Sequence, residues 1–86
     1  MKKLPLVEVV WNDAHSDAEK TVLASEVGDF HNPAVITSCG YLVRRNKIGL
    51  TIAGCYDQFH GEEEREGYER VMFIPAGMVV KVRRLR

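Results

Sequence analysis

The chain of 86 residues lacks the features that mark several classes of protein. Its two cysteines are too few for the disulfide framework of a small secreted domain, and no apolar run is long enough for a transmembrane helix. Twelve Lys and Arg residues balance twelve Asp and Glu residues, which excludes a strongly basic nucleic-acid binder and an acidic DNA mimic. The first residues have no signal-peptide pattern, so we expect two reduced thiols in a cytosol.

Motifs that carry chemistry are also missing. The histidines at 15, 31 and 60 have none of the spacings of a zinc site, and no glycine-rich loop opens a helix to cradle phosphates. Asp13, His15 and Ser16 are the residue types of a hydrolytic triad, but they are so close in sequence that their side chains diverge. We therefore predict no enzymatic activity, no catalytic residue, no metal and no cofactor.

What the chain does have is alternation of apolar with polar or small residues, the pattern of β-strands. We predict one strand for each of five segments: 6–12, 34–44, 48–56, 70–74 and 78–85. Residues 45–47 form a tight turn, so the second and third strands make a long antiparallel hairpin. Residues 75–77, Pro-Ala-Gly, make a single 3₁₀ turn before the last strand.

The segment at residues 13–33, between the first two strands, has a different character. Ser16 and Glu19 have the spacing of a helix-capping box, and Gly28 is placed to end the short helix that follows. An ordered loop is the alternative for the same segment.

Five short antiparallel strands in so small a chain predict one β-barrel domain over residues 1–86, of SH3-like or Sm-like type, because closure removes exposed strand edges. Gly40 and Gly54 fall where the strands of such a barrel bend. We expect eight apolar side chains to be largely buried in its core: Val9, Trp11, Ile36, Leu42, Leu50, Ile52, Phe73 and Val80.

Three segments carry a hydrophobic frame: V-x-V-V-W-x-D-A at 7–14, S-C-G-Y-L-V-R-R at 38–45 and I-P-A-G-M-V at 74–79. In this frame the chain resembles small bacteriophage and prophage proteins of unassigned function, which usually have a shorter segment at residues 57–69. The resemblance spans Val7 to Leu85 and implies a phage origin and the cytoplasm of an infected bacterium. It implies no active site, because its motifs are positions of the hydrophobic frame.

Charge is unevenly distributed along the chain. Residues 57–69, a solvated loop or a frayed continuation of the hairpin, hold six acidic side chains against one arginine, whereas residues 81–86 hold four basic side chains and no acid. Basic side chains also flank the hairpin tip, and two aromatics fall in the acidic segment. We predict partner or ligand contacts at seven residues: Arg44, Arg45, Phe59, Tyr68, Lys81, Arg83 and Arg84.

Three functions fit this pattern. The favoured one is a non-enzymatic phage accessory protein, a host-interaction or counter-defence factor that captures a host protein or a small signalling ligand. The first alternative is an Sm-like nucleic-acid-binding module with basic segments at 44–47 and 81–86 and with Tyr41, Tyr56, Phe59 or Trp11 as stacking aromatics. The second is a minor virion or assembly component. Alternatively, the basic side chains only protect an edge strand from aggregation.

The segregated charges also predict self-association. Zero net charge leaves no repulsion between copies, and the basic last strand of one copy suits the acidic segment of another. We therefore predict a homo-oligomer built partly by sheet edges. Sedimentation at micromolar concentration should show species heavier than the 9.7 kDa chain, and reversing the charges of Arg83 and Arg84 should shift that equilibrium. A single 9.7 kDa species throughout would contradict this prediction.

Overall fold

The computed structural model describes residues 3–16, 21–59 and 65–86, with the side chains at 58, 59, 65 and 66 outside the description. Its five β-strands are β1 (Leu6–Asp13), β2 (Ala34–Asn46), β3 (Gly49–Phe59), β4 (Arg65–Pro75) and β5 (Val79–Arg84). They pair antiparallel in one sheet, in the order β4-β3-β2-β1-β5. The predicted mostly-β fold with five antiparallel strands is confirmed.

The helical structure between β1 and β2 is shorter and later than predicted. In residues 13–16 and 21–33 it consists of a 3₁₀ turn (Ala24–Glu26) and one α-helical turn, α1 (Val27–Phe30). Leu23 is still extended, and Gly28 lies inside α1 instead of ending a helix. Glu19 of the expected capping box falls in residues 17–20, outside the described part of the chain. The prediction of a short helix holds, and its placement is wrong.

The β3–β4 hairpin reaches well beyond the rest of the sheet. Its ladder continues to the pair Phe59–Arg65, whereas β2 pairs with β3 only as far as Tyr41–Ala53. Residues 57–59 and 65–69, the described parts of the acidic segment, therefore continue the two strands of the hairpin. The molecule is elongated in consequence, with a radius of gyration of 17.5 Å. A compact chain of this length would have a radius of about 12 Å.

Strand β2 is shared between two halves of the sheet. Its first half pairs with β1 up to Tyr41, and its second half pairs with β3 from Tyr41 onward. Gly40 lies buried at this change of partner, and a Cβ atom there would stand 2.9 Å from the carbonyl oxygen of Ala53 and 3.1 Å from Cβ of Ile52. The position therefore requires glycine, which agrees with the predicted bend.

The core lies between the two halves of the sheet. Five buried side chains form it: Val7, Val9, Leu50, Ile52 and Ile74. Five more pack against it while half-buried: Trp11, Leu42, Met78, Val79 and Val82. Of the predicted core, Val9, Leu50 and Ile52 are therefore confirmed as buried, and Trp11 and Leu42 lie at its margin.

Phe73 is a wrong core prediction, with an exposed fraction of 51%. In the β3–β4 ladder Ile74 pairs with Leu50, whereas Phe73 pairs with Thr51. Because side chains alternate between the faces of a sheet, this register places Ile74 in the core and turns Phe73 to the other face. Ile74, not Phe73, is the core residue of this strand. The short apolar run at 70–74 does not indicate which of its residues face the core.

Val80 and Ile36 are also exposed, at 59% and 36%. The β1–β5 pairing passes from Val10–Lys81 to Trp11–Val79, so Val80 is an extra residue that the ladder skips. Such a bulge turns the side chain away from the face that simple alternation predicts. Ile36 lies in the first half of β2, beyond the part that pairs with β3, so it receives no cover from that strand.

The strands β4 and β5 are the edges of the sheet. In residues 3–16, 21–59 and 65–86 no backbone ladder joins these two strands, so the predicted barrel is not closed by pairing. They are connected by a 3₁₀ turn (Ala76–Met78), one residue later than predicted. The backbone N–H of Ala76 donates to the carbonyl oxygen of Ile48 (3.0 Å), which fixes this corner to the β2–β3 turn. Among the described residues, no helix has the length and apolarity to cross a membrane.

The bend of β2 can be tested with two glycine-to-alanine changes. Gly40→Ala should lower the free energy of unfolding by about 1–3 kcal/mol, because the new methyl group overlaps the backbone of β3. Gly28→Ala is the control: a Cβ there meets nothing within 4 Å, and alanine in a helix is favoured over glycine by about 0.5–1 kcal/mol. Urea denaturation measures both, and equal stability of the two variants would contradict the proposed close approach.

Candidate ligand-binding cleft

One end of the sheet carries a cleft of about 510 Å³, within the range of roughly 300–1,000 Å³ typical of small-molecule sites. Seven residues line it: Lys3, Leu4, Leu6, Tyr41, Tyr56, Arg84 and Arg86. They come from the first residues of the chain, from β1, β2, β3 and β5, and from the last residue. We call this site the tyrosine cleft.

Backbone hydrogen bonds hold the segments around Leu6 and Arg86 at the tyrosine cleft. The N–H of Leu6 donates to the carbonyl oxygen of Arg86 (2.9 Å), and Leu85 donates to the carbonyl oxygen of Leu6 (2.8 Å). The N–H of Leu42 donates to the carbonyl oxygen of Pro5 (2.8 Å). These bonds extend the pairing of β1 past its ends and set the positions from which Lys3 and Arg86 reach the cleft.

Two tyrosine rings form the aromatic part of the cleft. Tyr41 is the last residue of β2 that pairs with β1, and Tyr56 lies on β3 beyond the end of the β2–β3 ladder. Their ring centroids are 4.9 Å apart at an interplanar angle of 80°, an edge-to-face arrangement that aromatic pairs favour. Both residues are half-buried, so the rings are fixed and remain partly accessible.

The charge of the cleft is of one sign. Lys3, Arg84 and Arg86 contribute three exposed cations, and the described residues that line the cleft include no acid. Arg83, which precedes Arg84 on β5, has a different partner. The Nη2 atom of Arg83 is 3.2 Å from Oε2 of Glu8, the residue opposite it on β1. Of these two arginines, only Arg84 lines the cleft.

The structure brings only one of the seven predicted contact residues, Arg84, into the tyrosine cleft. Arg44, Arg45 and Lys81 are exposed on their strands and do not line it. Tyr68 is half-buried on β4, opposite Tyr56 in the β3–β4 ladder. Phe59 belongs to β3 by its backbone, and its side chain lies outside the described residues. The seven positions therefore do not form one common site in the described structure.

The sequence reasoning missed Lys3 and Arg86 as cleft residues and named the two tyrosines only as possible stacking groups. Lys3 and Arg86 are at opposite ends of the chain, and only the register of β1 with β2 and β5 places them together. The usable signal was the presence of basic residues near both termini of a chain whose first and last strands pair.

A second cleft, of about 480 Å³, opens where β2 and β3 separate, and Cys39, Gly54 and Arg70 help to line it. Arg70 has φ = 53°, a left-handed conformation that residues with a side chain rarely adopt. Its Nη2 lies 2.9 Å from Sγ of Cys55. Gly54 makes room for the arginine, because a Cβ there would stand 2.8 Å from Nε of Arg70. Both thiols are free.

The candidate metal ligands do not converge. Within the part of the chain that the structure describes, no three His, Cys, Asp or Glu side chains are grouped for a metal ion. His15 instead packs against Phe30, with ring centroids 4.5 Å apart, and its Nε2 donates to the carbonyl oxygen of Asn32 (2.6 Å). His60 falls outside the described residues.

Comparisons of the chain with protein-family models, with curated proteins and with solved structures find no match. The resemblance to phage proteins therefore stays a prediction, and the function has to be argued from the geometry of the chain itself.

The two thiols should differ in reactivity toward an uncharged maleimide. Cys39 is exposed, whereas Cys55 is half-buried, so we expect Cys39 to react several-fold faster. The single-thiol variants Cys55→Ser and Cys39→Ser separate the two rates, and mass spectrometry counts the adducts. In concentrated urea the two rates should become similar, because unfolding removes the burial of Cys55. A faster reaction at Cys55 in the folded protein would contradict the assignment.

Proposed function

We propose that this chain is a non-enzymatic binding protein that captures a small anionic ligand with a planar ring in the tyrosine cleft. The observation that carries the proposal is the convergence of two half-buried aromatic rings with three basic side chains in one cleft. Aromatic rings bind planar groups by stacking or edge contacts, and guanidinium and ammonium groups bind anions through charge-assisted hydrogen bonds.

The composition of the cleft supports binding over catalysis. Its described lining offers aliphatic surface, phenol groups and fixed positive charge, and it includes no carboxylate, thiol or imidazole. Nucleophilic catalysis needs a nucleophile and a base within hydrogen-bond distance of each other. The capture of a small ligand needs only shape, stacking surface and charge, and the cleft has all three.

We further propose that the sheet belongs to a small barrel of SH3-like or Sm-like type. Two observations support this proposal: core side chains come from β1 on one half of the sheet and from β3 and β4 on the other, and a one-turn 3₁₀ corner precedes the last strand. The frame at 7–14, 38–45 and 74–79 supports a phage accessory protein that acts as a counter-defence factor in the cytoplasm of an infected bacterium.

The proposal of a homo-oligomer is supported by the two sheet edges. On β4 three consecutive apolar residues are exposed, Val71 at 56%, Met72 at 40% and Phe73 at 51%. On the opposite edge Val80 of β5 is exposed at 59%, beside the basic Lys81. Exposed apolar side chains on an edge strand, whose outer backbone groups are unpaired in the sheet, favour addition of another strand.

Native mass spectrometry can test ligand capture. The purified protein is incubated with the low-molecular-weight fraction of a lysate from infected bacteria and then freed of excess solutes. We expect a retained adduct of small mass on the parent chain, and its loss from Arg84→Glu, which places a negative charge in the cleft. Lys81→Glu is the matched control, because it places a negative charge on the same strand outside the cleft lining and should keep the adduct. Equal adducts on both variants, or none on the parent chain, would contradict the proposal.

A further inference from the structure

We infer that the ligand of the tyrosine cleft is a free nucleotide, with its base against the rings of Tyr41 and Tyr56 and its phosphates at Lys3, Arg84 and Arg86. This inference rests on the proposed function and adds the chemical class of the ligand. No residue of the cleft belongs to a known nucleotide motif, so the argument depends on the geometry and the charge of the site.

The aromatic pair suits a base. In an edge-to-face pair the tyrosine that presents its edge does not use its two faces for the contact with its partner, and both half-buried tyrosines line the cleft. Nucleobases are planar rings that stack on tyrosine, and each such contact changes affinity by about 5- to 150-fold when the aromatic ring is removed. The 4.9 Å separation of the ring centroids shows that the platform is already assembled without a ligand.

The number of cations suits a phosphate better than a carboxylate. A phosphomonoester carries a charge of about −1.5 to −2 at neutral pH, whereas a carboxylate carries one negative charge. The cleft supplies three cations, and two of them are guanidinium groups, whose planar donors match phosphate oxygens in pairs. Arg83, the β5 arginine next to Arg84 in sequence, has a carboxylate partner in Glu8 and does not line the cleft.

The size and charge of the molecule favour one free nucleotide over a nucleic-acid strand. The cleft has the volume of a small-molecule site and is bounded by Lys3 and Arg86. Arg44, Arg45 and Lys81, which a strand would need as further phosphate contacts, do not line it. The chain as a whole has zero net charge, whereas polymer binding relies on a long track of cations.

Calorimetric titration of the full chain tests the inference with the four common ribonucleoside mono- and triphosphates as probes. The comparison probes are the matching nucleosides, inorganic pyrophosphate and single-stranded DNA and RNA of about ten nucleotides, a length that spans a typical single-strand site. At least one nucleotide should bind tenfold or more tightly than both its nucleoside and pyrophosphate, because only the nucleotide engages rings and cations together. Its affinity should also exceed that of either oligonucleotide per molecule.

Three variants assign the contacts. Arg84→Gln should weaken nucleotide binding by about tenfold or more and leave nucleoside binding unchanged, since it removes a charge-assisted contact to phosphate. Tyr56→Leu should weaken both to the same extent. Arg83→Gln, outside the cleft lining, should change neither. Arg84 and Arg83 are both exposed, so their comparison stays informative even where Tyr56→Leu does not fold.

Several results would overturn the inference. They are nucleotides that bind no better than nucleosides, equal effects of Arg84→Gln and Arg83→Gln, and oligonucleotides that bind more tightly than any nucleotide with a steep dependence on salt. A retained lysate ligand without phosphorus would overturn the nucleotide inference while the proposed function stands. The absence of any lysate adduct, together with the absence of nucleotide binding, would overturn both.

Discussion

The contact between Gly40 and the backbone of β3 is the constraint on which the rest of the structure depends. The close approach at this point lets β2 pair with β1 along one half of its length and with β3 along the other half. The two halves of the sheet can then face each other across Val9 and Leu50, both nearly inaccessible to water. The change of partner also ends the β2–β3 ladder at Tyr41. Because β2 and β3 separate there, the ring of Tyr41 can contact the ring of Tyr56.

The strands themselves could be predicted from the sequence, because alternation and β-branched residues are local signals. The faces of the later strands could not. Phe73 and Ile74 are equally apolar neighbours, and only the pairing of Ile74 with Leu50 decides which of them is buried. Val80 is the extra residue of a one-residue bulge in the β1–β5 pairing, and the local sequence pattern does not predict that bulge. The short helix was misplaced because a capping pattern alone does not fix the position of a helix. The two helical turns at 24–30 bury no side chain that would fix it instead.

The candidate site was less predictable than the fold for the same reason. Grouping basic residues by their nearness in sequence joined Arg83 with Arg84, although only Arg84 lines the cleft and Arg83 pairs with Glu8. Lys3 and Arg86 both line the cleft and are separated by nearly the whole sequence. Proximity in the sheet is decided by strand order, and the order β2-β1-β5 brings Lys3 and Arg86 to the same cleft.

The placement of Lys3 and Arg86 has a practical consequence for work with the protein. Both residues line the cleft, so a tag fused directly to either of them starts beside the site. A polyhistidine tag there brings imidazole rings and, once protonated, additional positive charge to a site that already attracts anions. Binding to the cleft is therefore best measured on protein without such a tag. An affinity tag used for purification is better attached to a surface far from Lys3 and Arg86.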